Sequence, residues 1–110
     1  MNDIAYKILS ADEFAALQAG EFNGAPVDIA DGYIHLSTAS QVAGTVQKHF
    51  AGRADLIIAK IDLNALGEKI RWEISRGDAL FPHLYGRLEP AHVIAAIPLA
   101  RQPDGSVALP

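Results

Sequence analysis

Cysteine is absent from the 110 residues, which excludes disulfide staples, thiolate nucleophiles and thiolate-ligated zinc. Basic charge is in short supply, with 9 Lys and Arg against 13 Asp and Glu. No basic run is present to follow a phosphate backbone, so nucleic acid is not an expected partner. No apolar stretch approaches the ~20 residues that cross a bilayer, and residues 1–4 lack the basic start and apolar core of a secretion signal. No membrane contact is expected, and the expected location is cytoplasmic. Gly20, Gly24 and Gly32 match neither a P-loop nor a dinucleotide fingerprint. There is no His-Glu-x-x-His, no pair of His at metal spacing on one helix and no acidic calcium loop. A metal site would rest only on His35 and His83 meeting in space, and none is expected. A Gly-x-Ser-x-Gly elbow is missing too, so Ser37 reads as a positioning group rather than a nucleophile.

What remains is an ordinary globular composition, half apolar and one fifth charged. At this length a single domain over residues 1–110 is expected, able to bury about two thirds of its surface without metal or disulfide. Residues 5–9 read as a strand, and Ser10 with Glu13 has the spacing of a capping box that opens a helix of about two turns, with Phe14 and Leu17 on one face and Gly20 as its stop. Residues 21–31, with Gly24 and Pro26, read as a loop. Residues 33–37 alternate as a strand, and Thr38 with Gln41 opens a second helix whose stripe is Val42, Val46 and Phe50. Residues 55–62 are a nearly unbroken β-branched run expected in the middle of a sheet. A turn through Asn64 and Gly67 leads to a strand over residues 69–74, and Phe81 to Gly86 reads as a short edge strand because of Pro82. Residues 92–97 form a last strand, and residues 101–110 a loose tail with at most a hairpin partner at residues 107–109.

Three of these strands carry a polar face richer than solvent exposure requires. Tyr33, His35 and Ser37 lie on one, Arg71 and Glu73 on another, His83 and Tyr85 on the third. Strand alternation sets them opposite Ile34, Leu36, Trp72 and Leu84, which are expected in the core. Polar groups placed against an apolar wall, which Trp72, Phe81 and Leu84 could supply, are the makings of a ligand cleft. The competing account is a solvated cross-strand Arg71 and Glu73 pair beside structural histidines. His49 and His92 read as structural.

The segments Asp31-Gly-Tyr-Ile-His-Leu-Ser-Thr38, Gln41-Val42, Arg71-Trp72-Glu73 and Phe81-Pro-His-Leu-Tyr-Gly86, in that order, resemble the bacterial family known as domain of unknown function 952. The resemblance implies an α+β fold distantly related to the ADP-ribosyltransferases: a small, mostly antiparallel split β-sheet with two short helices and a cleft for NAD. His35-Leu36-Ser37-Thr38 is similar to the His-Leu-Ser segment of the RNA 2'-phosphotransferases in that superfamily. Those relatives hold the NAD ribose with a His-Gly-Thr segment on the first strand, where this chain has Tyr6-Lys7-Ile8.

The function implied is a nucleotide-type cleft, with NAD as the cofactor and ADP-ribosyl transfer as the reaction. Breaking the nicotinamide bond leaves an oxocarbenium-like ribose that needs a nearby carboxylate. Glu73 is the expected catalytic carboxylate, and His35 the second catalytic residue, bonded to ribose. Ser37 and Thr38 would position the ligand, Tyr33 or Tyr85 would stack on a ring, Arg71 would hold a phosphate and His83 would complete the wall. Two rivals stay open: a binding module that takes a ribose-containing small molecule without turnover, and a protein-interaction domain with no ligand.

Overall fold

The computed structural model describes residues 3–110; Met1 and Asn2, part of the stretch read for a secretion signal, lie outside them. Strand β1 (Ile4–Ser10) runs into helix α1 (Ala11–Gln18). The Ser10 hydroxyl accepts from Glu13 N–H while the Glu13 carboxylate accepts from Ser10 N–H, the reciprocal capping box read from the sequence. Helix α2 (Pro26–Asp31), strand β2 (Ile34–His35) and helix α3 (Val42–His49) follow. Strand β3 (Leu56–Asp62) leads into helix α4 (Leu63–Leu66), and strands β4 (Ile70–Ile74), β5 (Leu80–Leu84) and β6 (Val93–Pro98) complete the chain. No helix among the described residues is long and apolar enough to cross a membrane.

The strands form two antiparallel three-stranded sheets, β1-β3-β6 and β2-β5-β4. A two-bond bridge links them: Tyr6 N–H donates to Ser37 C=O at 2.8 Å and Ser37 N–H to Tyr6 C=O at 2.9 Å. Strand β3 is central in its sheet, as its unbroken apolar run requires, because both faces are covered. Ala5, Leu9, Ala59 and Ile61 pack toward α1, α4 and the apolar face of the second sheet at Ile34, Leu36 and Leu84. Tyr6, Ile8 and Ile58 pack toward Val42, Val46 and Phe50 of the α3 region.

Several expectations are corrected. The ADP-ribosyltransferase-like split sheet with two short helices gives way, among the described residues, to two three-stranded sheets with four α-helices and no ADP-ribosyltransferase-like closure. Residues 21–25 of the stretch read as a loop remain loop, and helix α2 occupies residues 26–31. Pro26 stands at its first turn, where a missing N–H does no harm, Asp28 accepts the Ala25 N–H at 2.8 Å, and Gly32 ends it at φ 86. Helix α4 replaces an expected turn because the Asp62 carboxylate caps the N–H groups of Asn64 and Ala65. Strand β5 is the middle of its sheet rather than an edge. Pro82 is tolerated there because its absent N–H would point toward β2, where only its C=O is engaged, accepting from Leu36 N–H at 3.1 Å. Trp72 is 38 % exposed, not core, because β4 is the outer strand and nothing covers that end of the apolar face. The hairpin partner allowed for in the C-terminal stretch is present as a single Arg101–Val107 bridge, and the Arg101 guanidinium also donates to the carbonyls of Arg53 and Phe50.

Candidate functional site

The second sheet lays its polar residues on one face. Register sets His35 opposite His83 and His83 opposite Arg71, with Glu73 opposite Phe81. The result is one contact cluster. The Tyr33 ring stacks on His83 at 4.2 Å and lies 4.7 Å from His35 and 5.2 Å from Tyr85. The two imidazoles are 5.4 Å apart, edge to face, and the Arg71 guanidinium lies 4.7 Å over Tyr85.

Each histidine is held by a carboxylate. His83 Nδ1 meets Glu73 Oε1 at 2.8 Å, and the same oxygen accepts from Tyr85 OH at 2.7 Å. A proton on Nδ1 makes Nε2 the free acceptor of a neutral ring, and Nε2 bonds to no described residue. The Tyr85 hydroxyl and then His83 hold the Glu73 carboxyl below its usual range, and Glu73 in turn pushes Tyr85 upward. The Tyr33 hydroxyl is also pushed up, by burial first and then by Asp31 and Glu73.

His35 is anchored at both ring nitrogens, Nδ1 to Asp28 at 2.7 Å and Nε2 to Asp31 at 2.9 Å. Asp28 is the hub of this arrangement and is 2 % exposed. Its oxygens also accept from Lys7 Nζ at 2.9 Å, from His35 N–H at 3.0 Å and from Ala25 N–H at 2.8 Å. Lys7 Nζ donates further to the His35 carbonyl at 3.0 Å. Burial alone would raise the Asp28 carboxyl, but the His35 and Lys7 contacts outweigh it and hold the value at about 2. Lys7 on the first strand is therefore a buried partner of Asp28.

Beside this cluster lies a cavity of about 500 Å³, reached by β1 (Tyr6, Lys7, Ile8), α2 (Pro26, Val27, Asp31), residues 35–37, α3 (Thr45, His49), Phe50, Arg53, Phe81 and His83. Of the residues singled out in the sequence, His35, Ser37 and His83 line it. Tyr33, Arg71, Glu73 and Tyr85 do not, but stand on the same sheet face in contact with His83 or with one another. The Ser37 hydroxyl shares a 3.0 Å bond with Thr45. Thr38 does not open α3 as read: it lies in the turn four residues before Val42, the helix N-cap is Gln41, and Thr38 bonds through its N–H to the Gln41 side chain and through its hydroxyl to Ser40. His92 caps Glu89 N–H, a structural role, whereas His49 faces the cavity. Asp28 and Arg53 escaped the sequence reading, and His49, read there as structural, lines the cavity. Only an Asp two residues after a helix-starting Pro marked Asp28, and nothing local marked Arg53. Among the described residues no group of three His, Asp or Glu side chains is placed to hold a metal ion.

A fold of two facing antiparallel sheets with a His–carboxylate cluster beside an intersheet cavity defines a small α+β domain with a ligand-sized cleft. Over residues 8–96 the chain matches the family described as "Protein of unknown function (DUF952)", and it belongs to that family. It is 43 % identical to protein CC0527 from Caulobacter crescentus, whose crystal structure superposes with a TM-score of 0.87 over 96 % of this chain and 93 % of that one. The solution structure of CC0527 gives 44 % identity and a TM-score of 0.81, covering 96 % of this chain and 91 % of that one. A search of the curated proteins finds no match.

Proposed function

We propose that the intersheet cleft binds a ribose-containing, nucleotide-type small molecule, with NAD as the first candidate. The observation that carries this reading is the cavity of about 500 Å³ with His83 and Ser37 on its wall among Tyr6, Phe50 and Phe81. That volume lies within the range of small-ligand sites, and the mixture of a few polar groups with aromatic walls is what such sites use. His83 Nε2 is the acceptor for a ribose hydroxyl, oriented from behind by Glu73. Arg53, placed over the Phe50 ring at 5.2 Å, supplies positive charge for a phosphate. His35, tied at both nitrogens, shapes the wall rather than moving a proton.

Binding without turnover is the better supported form of this reading, because Glu73 is engaged by His83 and Tyr85 and is not on the cavity wall. The second form is NAD-dependent ADP-ribosyl transfer with Glu73 as the carboxylate; the 39 % exposure of its side chain is what favours it. Melting curves with NAD, ADP-ribose, AMP and ribose 5-phosphate test the site. Saturation at a hundredfold excess over Kd should add about 2.7 kcal/mol of stability, and a tenfold loss of affinity in His83→Ala should cut that to about 1.4 kcal/mol. No shift with any of the four overturns the nucleotide reading. Nicotinamide release from NAD would replace the binding module by the transferase.

A further inference from the structure

Strand β4 is the outer strand of its sheet and pairs with β5 in unbroken register from Ile70 to Ile74. Its backbone polarity is set by its neighbours. Tyr85 N–H donates to Lys69 C=O at 2.7 Å, and Ser75 N–H donates to Ala79 C=O at 2.9 Å. Residues 69, 71, 73 and 75 therefore turn their N–H and C=O groups toward β5, and residues 70, 72 and 74 turn theirs to the open edge. Trp72 pairs with Pro82, which has no N–H to offer, in agreement with that alternation. The Ile70 N–H is used by Gly67 C=O, which leaves the N–H and C=O of Trp72 and of Ile74 and the Ile70 C=O facing outward. Open edges are usually blunted by unpaired charges, above all Lys, or by Pro or a bulge, whereas the two charges of this strand, Arg71 and Glu73, are of opposite sign and can pair across a seam. The strand has no Lys, Pro or bulge, and the apolar side chains beside it, Trp72, Ile74 and Leu80, are 38, 68 and 52 % exposed.

We propose that this edge is a homodimer seam, in which β4 of one copy pairs antiparallel with β4 of a second copy about a two-fold axis at Trp72. The occupant is chosen by charge. The strand reads Ile70-Arg71-Trp72-Glu73-Ile74, so reversal places Ile opposite Ile, Trp opposite Trp, and Arg71 opposite the partner's Glu73. Trp72 then forms a hydrogen-bonded pair with its mate, and Ile74 N–H meets the partner's Ile70 C=O on each side. Arg71 and the partner's Glu73 fall on a non-hydrogen-bonded pair, whose Cα atoms approach to about 4.5 Å, the closest cross-strand arrangement for opposite charges. Glu73 keeps His83 and Tyr85 on Oε1 and offers Oε2, which no described hydrogen bond uses. The two sheets become one, the apolar strips of both copies meet on one face, and both clefts open on the other. The interface is isologous, as a closed dimer requires, with a Trp at its centre.

Sedimentation equilibrium of the full chain tests the seam and should give twice the 11.7 kDa monomer mass at tens of micromolar. The chain has a single Trp, so its emission should shift on dilution through the dissociation constant. Trp72→Lys and Trp72→Glu should each sediment as folded monomers by far-UV circular dichroism. An equimolar mixture of the two should regain the doubled mass, because Lys and Glu then face each other across the axis. A wild-type chain that stays at 11.7 kDa overturns the proposal and leaves the edge to a strand of another protein. A dimer that persists in both variants, or a mixture that stays monomeric, places the contact elsewhere and overturns it as well.

Discussion

The two His–carboxylate pairs stand side by side on one sheet yet are built in opposite ways. Asp28, which holds His35, is buried and has every oxygen occupied by Lys7, His35 and the Ala25 N–H. Glu73, which holds His83, sits on the outer strand with a partly exposed side chain and one oxygen in use. The first pair ties α2 to β1 and β2 and so belongs to the fold. The second leaves an imidazole nitrogen that bonds to no described residue next to a cavity, and in the proposed reading it belongs to the site. Burial of a charge is tolerated only with full pairing, and a ligand site needs a group that is oriented but not satisfied. On the proposed reading, the same residue pair serves structure or binding according to how many of its lone pairs the protein itself has filled.

Removing the buried carboxylate should break this contrast most severely. Asp28→Ala leaves the Lys7 ammonium, 5 % exposed, without its counter-charge, and losing one partner of a buried pair costs about 3–5 kcal/mol. Urea unfolding measures it; a change below about 1 kcal/mol would mean that the hub does not anchor α2. Acid should produce a smaller form of the same loss. The Asp28 carboxyl lies at about 2 in the folded chain against 3.8 for the free group. A depressed carboxylate stabilises above its unfolded value and loses that contribution as pH falls through the folded one, here about 2 kcal/mol between about pH 5 and pH 2. Urea midpoints across that range should fall in the parent chain and fall less in Asp28→Asn.

Legibility in the sequence followed the range of the forces. The capping box at Ser10 and Glu13, the apolar stripe of Val42 and Val46 and the central run of β3 are local patterns, and each is present as read. Alternation also placed Tyr33, His35, His83, Tyr85, Arg71 and Glu73 on one face, because the period of a strand needs no partner to define it. Strand order was not legible. Whether Trp72 is core or surface depends on β4 being outermost, and whether Pro82 marks an edge depends on which neighbour its ring faces. The Lys7–Asp28 pair joins positions 21 residues apart across two elements, and no spacing rule reaches that far.

His83 carries the next expectation, on the binding side of the comparison. His83→Gln should weaken a nucleotide-type ligand by about tenfold, the order of one lost hydrogen bond. Calorimetric titration with ADP-ribose decides it. An unchanged affinity would move the ligand away from the second sheet.

The smallest effect on the fold should come from Glu73→Gln, the counterpart of the Asp28 change on the exposed pair. The amide keeps an oxygen for Tyr85 and the side chain keeps its length, so the melting temperature should hardly move, in contrast to Asp28→Ala. The readable change is electrostatic. Tyr85 is pushed up chiefly by its hydrogen bond to the Glu73 carboxylate, and removing that charge lets the phenol ionise at lower pH. Among the three tyrosines, one phenolate absorbance step should therefore move down in the variant, while the step from Tyr33 moves less because Glu73 is its last-named influence after burial and Asp31. Ligand affinity should fall by a few-fold, because His83 loses its charged support. If the parent chain releases nicotinamide from NAD, the same variant should cut that rate by about 100- to 1,000-fold, the usual loss for one preorganised electrostatic contact, and the exposed pair would then be catalytic. A melting temperature that drops as far as in Asp28→Ala would erase the distinction and make both pairs parts of the fold.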